Sequence, residues 1–230
     1  MSNSIAPSLV RCIDSLNFIS ADNAPVGNPI TVPNFGLEPD KRSSRKLNNK
    51  FGCKKYEIIE NVIWSNQDEI TFYLCKKPKV SSTFIPNEEF IKNFPDSKRF
   101  QIIDSFKTKT STIDNELPNR IVDFVKIDIQ GAELKALQGM ENLIKNCLGF
   151  ELEIEFTEIY KSQPLFGEID SFLKDRGFEF IDFTNLYRWD RKNYNSYGQC
   201  IFGDGIWLRT PEFVVNNCKE KYKKYIIRYF

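Results

Sequence analysis

There is no histidine anywhere in this chain of 230 residues. The commonest metal ligand and the commonest general base are therefore missing. Any proton transfer must fall to a carboxylate, a lysine or a tyrosine. Net charge is nearly missing too: 32 lysines and arginines face 31 aspartates and glutamates, leaving +1. Binding nucleic acid by counterion release calls for a basic excess, so no nucleic-acid partner is expected. The short basic stretches at 41–46 and 219–224 read as solvated surface. The six cysteines, Cys12, Cys53, Cys75, Cys147, Cys200 and Cys218, have no zinc-ligand spacing. Several lie in apolar strand contexts, which points to reduced, buried thiols. No apolar run is long enough to span a bilayer, and the first residues lack an apolar h-region. The chain reads as cytoplasmic, with no membrane partner. No G-x-G-x-x-G follows a first strand, which counts against a nicotinamide-dependent oxidoreductase.

What is present supports one packed domain, or one domain with an appendage. Hydrophobic residues make up 41% and aromatics 14%, with 20 phenylalanines, enough for a sizeable core. Leu9 to Ile19 reads as a helix leading into a short strand, and Ser20 to Pro33 as loop. Asn34 to Leu37 is a short apolar stub, followed by a polar helix over Lys41 to Asn49. Tyr56 to Trp64 and Ile70 to Cys75 look like the arms of a hairpin. A short helix over Glu88 to Asn93 precedes a strand over Phe100 to Thr110. Ile121 to Ile129 is the expected central strand. Leu134, Leu137, Met140, Leu143 and Ile144 then form a one-face helical stripe. Gly139 inside that stripe implies close packing. A strand over Leu148 to Phe156 and a helix over Glu168 to Asp175, capped by Gly177, come next. Phe178 to Phe183 and the residues Ile201 and Ile206 to Leu208 supply the last strands. Strands alternating with helices predict a mostly parallel α/β sheet.

The most informative run is Phe124 to Leu134. It begins as a strand of β-branched and aromatic residues, meets Asp128 and then Gly131, and continues as a helix. Open α/β sheets take their ligands outside the carboxyl ends of such strands. The following strand is unusual. Phe150, Leu152, Ile154 and Phe156 share one face, while Glu151, Glu153 and Glu155 share the other. Buried parallel strands are normally apolar on both faces, and an unpaired buried carboxylate is costly. Either Lys126 and its neighbours neutralise these glutamates in a structural network, or Glu155 faces the active cleft with Asp128. Glu38 is a second candidate, because an acid ending the second strand can accept hydrogen bonds from a cofactor ribose. Tyr187, Trp189, Tyr194 and Tyr197 form an aromatic loop that either stacks on a sugar or packs on its own domain.

The run Val125-Lys126-Ile127-Asp128-Ile129-Gln130-Gly131-Ala132-Glu133 resembles the signature of the FkbM family of S-adenosylmethionine-dependent methyltransferases. Other pieces follow in the family's order: Gly36-Leu37-Glu38-Pro39-Asp40, Ser81-Ser82 with Pro86, Thr110 to Leu117, and Glu153 to Phe156. Tyr160, Pro164-Leu165-Phe166, Gln199 and Asp204 to Leu208 complete the set. The resemblance covers roughly residues 34–210. It implies a Rossmann-like class I methyltransferase, a mostly parallel, seven-stranded sheet with helices on both faces; in this chain the first strand and helix region is expected to be shortened. It divides the chain into an N-terminal segment (1–33) with a degenerate first cofactor motif, the methyltransferase domain (34–210) and a C-terminal tail (211–230).

The resemblance further implies O-methylation of a hydroxyl on a sugar or another secondary metabolite, with a small-molecule or glycan acceptor. Glu38, Asp22, Asn61, Asp128, Gln130 and Gly131 would bind the cofactor. Asp128, then Glu155, would be the catalytic base, and Glu133 and Tyr160 would meet the substrate. A divalent cation on Asp128 and a neighbouring carboxylate is the lesser alternative to a simple base, and no metal site is assigned. One departure stands out: Ser20 to Gly27 replaces the family's glycine-rich turn with a stretch holding one late glycine and a proline. The competing function is a non-catalytic domain that keeps the sheet, has lost the cofactor and serves as a binding or scaffold module.

Overall fold

The computed structural model describes residues 61–194, 197–221 and Tyr225, together with the backbone of three short strands before them. Those three are β1 (Leu9–Ile13), β2 (Asn34–Leu37) and β3 (Tyr56–Ile59). They join β7 (Phe124–Asp128), β8 (Gly149–Glu155), β9 (Phe178–Trp189) and β10 (Gln199–Arg209) in a seven-stranded sheet of order β3-β2-β1-β7-β8-β10-β9. A second sheet, of order β4-β6-β5, is made by β4 (Val62–Ile63), β5 (Glu69–Cys75) and β6 (Ile102–Ser111). The helices are short: α1 (Glu88–Ile91), α2 (Ile113–Glu116), α3 (Glu133–Gln138), α4 (Leu143–Asn146), α5 (Phe166–Lys174) and α6 (Pro211–Asn217). Asp22, Glu38 and the expected helix over 41–49 lie outside the described residues.

The chain is a mixed α/β fold, and the expected mostly parallel sheet is corrected. Only β2–β3 and β7–β8 pair in parallel within the large sheet; β1–β2, β1–β7, β8–β10 and β9–β10 are antiparallel. The reason is topological. β2, β3, β7, β8 and β9 all point one way, while β1 and β10 point the other. Both reversed strands sit inside the sheet, so each makes two antiparallel borders. β9 and β10 are consecutive across a short loop, which permits only an antiparallel pair, whereas α3 and α4 supply the crossover that lets β7 and β8 run parallel. Strand direction leaves no mark in apolar patterning, so the sequence did not announce the reversal of β1.

Three local readings also change. Leu9–Ile13 is a strand rather than a helix. β5 pairs antiparallel with β6, not with the Tyr56 to Trp64 run, which breaks into β3 and β4. The helical stripe is interrupted after α3 at Gly139. A Cβ there would lie 2.5 Å from the Trp64 carbonyl oxygen, so only glycine allows this approach. Gly177 follows α5 with φ +77°, as expected of a cap.

One face of the large sheet is the core. Val125, Ile127, Phe150, Leu152, Ile154 and Trp207 pack against Ala136, Leu137, Met140, Ile144, Ile169 and Leu173 of the helical layer. Burying each larger side chain contributes about 1.5–3 kcal/mol. α5 is held to the sheet by more than grease. Asp170 accepts from Trp207 Nε1 of β10 at 3.1 Å, while Glu168 caps the helix's own start by accepting from the Leu165 N–H at 3.0 Å. A second cluster, with Val80, Phe94, Phe100, Tyr160 and Ile201, lies under the α1 region. No helix among the described residues is long and apolar enough to cross a membrane.

Candidate active site

The strand order reverses between β1 and β7, with Leu9 opposite Asp128. Such a reversal is where open α/β sheets leave a crevice at the strand ends. β7 ends at Asp128, and the chain must turn at once to start α3. It does so with Gln130 at φ +57° and Gly131 at φ +95°. Glycine takes this conformation freely, but a left-handed glutamine costs roughly 1–2 kcal/mol. The surroundings hold it there. Gln130 Nε2 donates to Asp128 Oδ1 at 3.0 Å and to Glu153 Oε2 at 2.7 Å. Its Oε1 accepts from the Tyr160 hydroxyl at 3.2 Å, and its backbone oxygen accepts from Ser82 Oγ at 2.7 Å. Glu133, the first residue of α3, reaches back so that Oε1 accepts from the Ile129 N–H at 2.8 Å. The turn is thus built from side chains on four separate segments.

The polar face of β8 divides as the register requires. Lys126 lies opposite Glu151, and its Nζ sits 2.6 Å from Glu151 Oε1 and 3.4 Å from Asp204 Oδ1 of β10. Burial works against the lysine's charge, but Glu151 and Asp204 outweigh it and leave its pKa above the ordinary value. Asp204 is completed by Asn185 Nδ2 at 3.1 Å and the Tyr187 hydroxyl at 3.5 Å. This is the expected structural network.

Glu153 and Glu155 are treated differently. Glu153 accepts from the Gln130 amide and lies within hydrogen-bond reach of the Asp128 carboxyl, while Glu155 Oε2 is buried without a partner among the described residues. Gln163 Nε2 is likewise buried and unpartnered, while Gln163 Oε1 accepts from the Tyr160 N–H. Burial, opposed by backbone N–H donors and reinforced by Asp128, pushes Glu133 up to about 8. Burial, with Asp128, Glu155 and Glu133 nearby, holds Glu153 well above the usual carboxylate range. Burial and the charges of Glu133 and Asp128 do the same to Glu155, against a smaller opposing effect of the Gln163 amide. Tyr160, buried beside these acids, is raised as well. Among the described residues no lysine or arginine forms an ion pair with Asp128, Glu133, Glu153 or Glu155.

Asp128, Gln130, Gly131, Glu133, Glu155 and Tyr160 therefore come together at the carboxyl ends of β7 and β8. Asn61 does not join them: it is exposed, and its Nδ2 donates to Glu116 Oε1 at 2.9 Å. Glu133 braces the turn from within. Tyr187 and Trp189 belong to β9 rather than a loop. Trp189 packs edge-on to Phe94 at 5.4 Å under the Arg99 guanidinium, while Tyr187 stacks on Phe202 at 4.5 Å. Tyr194 and Tyr197 are exposed. Two residues carry more than the sequence reading assigned them. Asp204 breaks an otherwise apolar strand, a signal that was present. Gln163 sits in a loop between polar and proline residues, with nothing local to mark it.

The family model for the methyltransferase FkbM domain matches residues 18–180, which is most of the chain. The chain belongs to the FkbM methyltransferase family. The match runs from before β2 into β9, so it includes every carboxylate of the cluster. No curated protein and no solved structure matches the chain. Membership of this methyltransferase family puts methyl transfer first among the chemistries that the carboxylate-rich turn can serve. Among the described residues no group of three or more Asp, Glu or Cys side chains is arranged to hold a metal ion.

Proposed function

We propose that this FkbM domain is an S-adenosylmethionine-dependent O-methyltransferase acting on a hydroxyl of a sugar or another small metabolite. The observation that carries the reading is the surplus of acids at the ends of β7 and β8, where four carboxyl groups meet and, among the described residues, none has a basic partner. Such a site fits a cationic ligand better than a neutral or anionic one. When bound, S-adenosylmethionine supplies an electrophilic methyl group on a sulfonium cation. The strand order supports a Rossmann-like class I methyltransferase with Asp128 at its switch point, although β1 is reversed.

Asp128 is half-buried and is the member of the cluster that a ligand meets first. It accepts the hydroxyl proton as the acceptor oxygen attacks, with Gln130 fixing its carboxylate. Glu155 is the alternative base, since its Oε2 has no competing partner. Glu38 would accept from the cofactor ribose. The acceptor is a small molecule or glycan.

Isothermal titration of the full chain with S-adenosylmethionine tests this. Binding that Asp128→Asn weakens at least tenfold, in a variant that melts like the parent, is the expected result. No binding by the parent would discard the enzyme and leave the scaffold alternative.

A further inference from the structure

Asp128, Glu133, Glu153 and Glu155 form one electrostatic unit. They come from three elements, β7, α3 and β8, and are joined by the Gln130 amide, which donates to both Asp128 and Glu153. Glu133, Glu153 and Glu155 are buried, with Glu133 and Glu155 each 1% exposed. Among the described residues the other titratable groups facing the unit are Tyr160 and, beyond it, Cys75. On the open side Lys126 is already shared by Glu151 and Asp204, and Tyr187 faces Asp204. Two buried polar atoms, Glu155 Oε2 and Gln163 Nε2, have no hydrogen-bond partner among the described residues. Among the described residues the unit therefore has fewer positive charges and fewer hydrogen-bond donors than full ionisation demands. Like charges this close cannot all ionise in a buried site unless a cation enters.

Resting on the methyltransferase reading above, we propose that this carboxylate unit exchanges a proton for the sulfonium charge. It releases a proton when the cationic cofactor binds and recovers one from the acceptor hydroxyl when the methyl group leaves. The charges balance. In the transfer the acceptor O–H bond breaks and the O–CH3 bond forms. The S–CH3 bond breaks with its electron pair left on sulfur, giving a neutral thioether. The hydroxyl proton passes to the carboxylate unit, whose negative charge no longer faces a cation. The site thereby distinguishes cofactor from spent product by charge, because the two molecules share every other ionisable group. Binding of each ligand should respond differently to pH. Below about pH 8, where Glu133 holds its proton, cofactor affinity should rise by up to about tenfold per pH unit. Affinity for the thioether product should stay nearly flat.

The test is titration calorimetry of the full chain with S-adenosylmethionine and with S-adenosylhomocysteine. Each is run at pH 7 in two buffers of different ionisation enthalpy, which counts protons directly. The expected result is proton release approaching one with the sulfonium and much less with the thioether. Glu133→Gln, provided it melts cooperatively, should reduce the release. Equal proton counts for the two ligands, or none with either, would overturn the exchange while leaving the methyltransferase reading intact. If neither ligand binds, the methyltransferase reading fails and takes the exchange with it.

Discussion

Lys126 and Glu155 stand on the same polar face, yet the structure gives them opposite conditions. Lys126 is part-buried in a short ion pair with Glu151, with Asp204 as a second partner. Replacing it with methionine leaves two carboxylates without their cation. Removing one partner of a buried pair costs about 3–5 kcal/mol, and each kcal/mol moves the melting midpoint by about 2–4 °C in a chain of this size. Lys126→Met should therefore melt roughly 6–20 °C below the parent. Glu155→Gln has the same shape as the parent and removes a carboxyl that has an unpartnered buried oxygen. It should melt within a few degrees of the parent while methyl transfer falls. Thermal melts followed by circular dichroism, with a transfer assay, separate the two. A Lys126→Met protein as stable as the parent would mean that the ion pair is dispensable.

At the scale of elements, the ends of several short helices meet at one arginine. Arg209, the last residue of β10, is 4% exposed and forms no ion pair with a carboxylate among the described residues. Its Nε donates to the Cys147 oxygen at 3.2 Å, and Nη2 to the Ile144 oxygen at 2.8 Å. Nη1 donates to the Arg176 oxygen. The guanidinium also lies 3.8 Å from the Phe178 ring centre and 4.1 Å from that of Phe213. A carbonyl at a helix C-terminus carries partial negative charge, so a cation is favoured there. One planar fork thus joins α4, the chain after α5, and α6 to the sheet. A lysine has the charge without the fork and reaches one carbonyl at most. Each lost partner leaves a buried acceptor, at about 1–3 kcal/mol. Arg209→Lys is therefore expected to destabilise nearly as much as Arg209→Met in urea unfolding. A lysine variant within 0.5 kcal/mol of the parent, an order-of-magnitude threshold for a neutral change, would show that charge alone suffices.

For the whole molecule, the carboxylate unit sets how stability depends on pH. Glu133 has a pKa of about 8 in the folded protein against an ordinary 4.5, and Glu153 and Glu155 are shifted the same way. Below 4.5 these groups are protonated whether the chain is folded or not. Between 4.5 and about 8 the unfolded chain has released protons that the folded chain keeps, so rising pH favours unfolding. Their contribution is fully present below the unfolded value and is lost as pH rises through the folded one. Without ligand, the protein should melt at progressively lower temperature from pH 6 to pH 8.5, and Glu133→Gln should flatten that slope. A melting midpoint that climbs over this range would contradict the protonated cluster. Family membership and sheet order act at this scale too: the same strand ends that crowd the acids are those a methyltransferase domain would turn toward its ligand.

Much of this protein was legible before its structure. The order of acid, glycine and helix after β7, the alternating face of β8 and the pairing of Lys126 with a glutamate all follow from period-two alternation, which dictates which side chains share a face. The family was legible because its pieces stand in order along the chain, and the match over residues 18–180 rests on that order. Strand direction was not legible: β1 runs against β7, and nothing in Leu9–Ile13 encodes that, because an apolar strand fits either way. Nor was the breadth of the site. Gln163 and Ser82 are far apart in the chain and reach the turn only because the loops after β5 and β8 return to it, and Asp204 reaches Lys126 only because the reversed β10 lies beside β8. Sequence alone determined which residues carry charge and on which face. Only the tertiary structure decided which charges found partners, because neutralisation depends on distances between segments that local patterning does not contain.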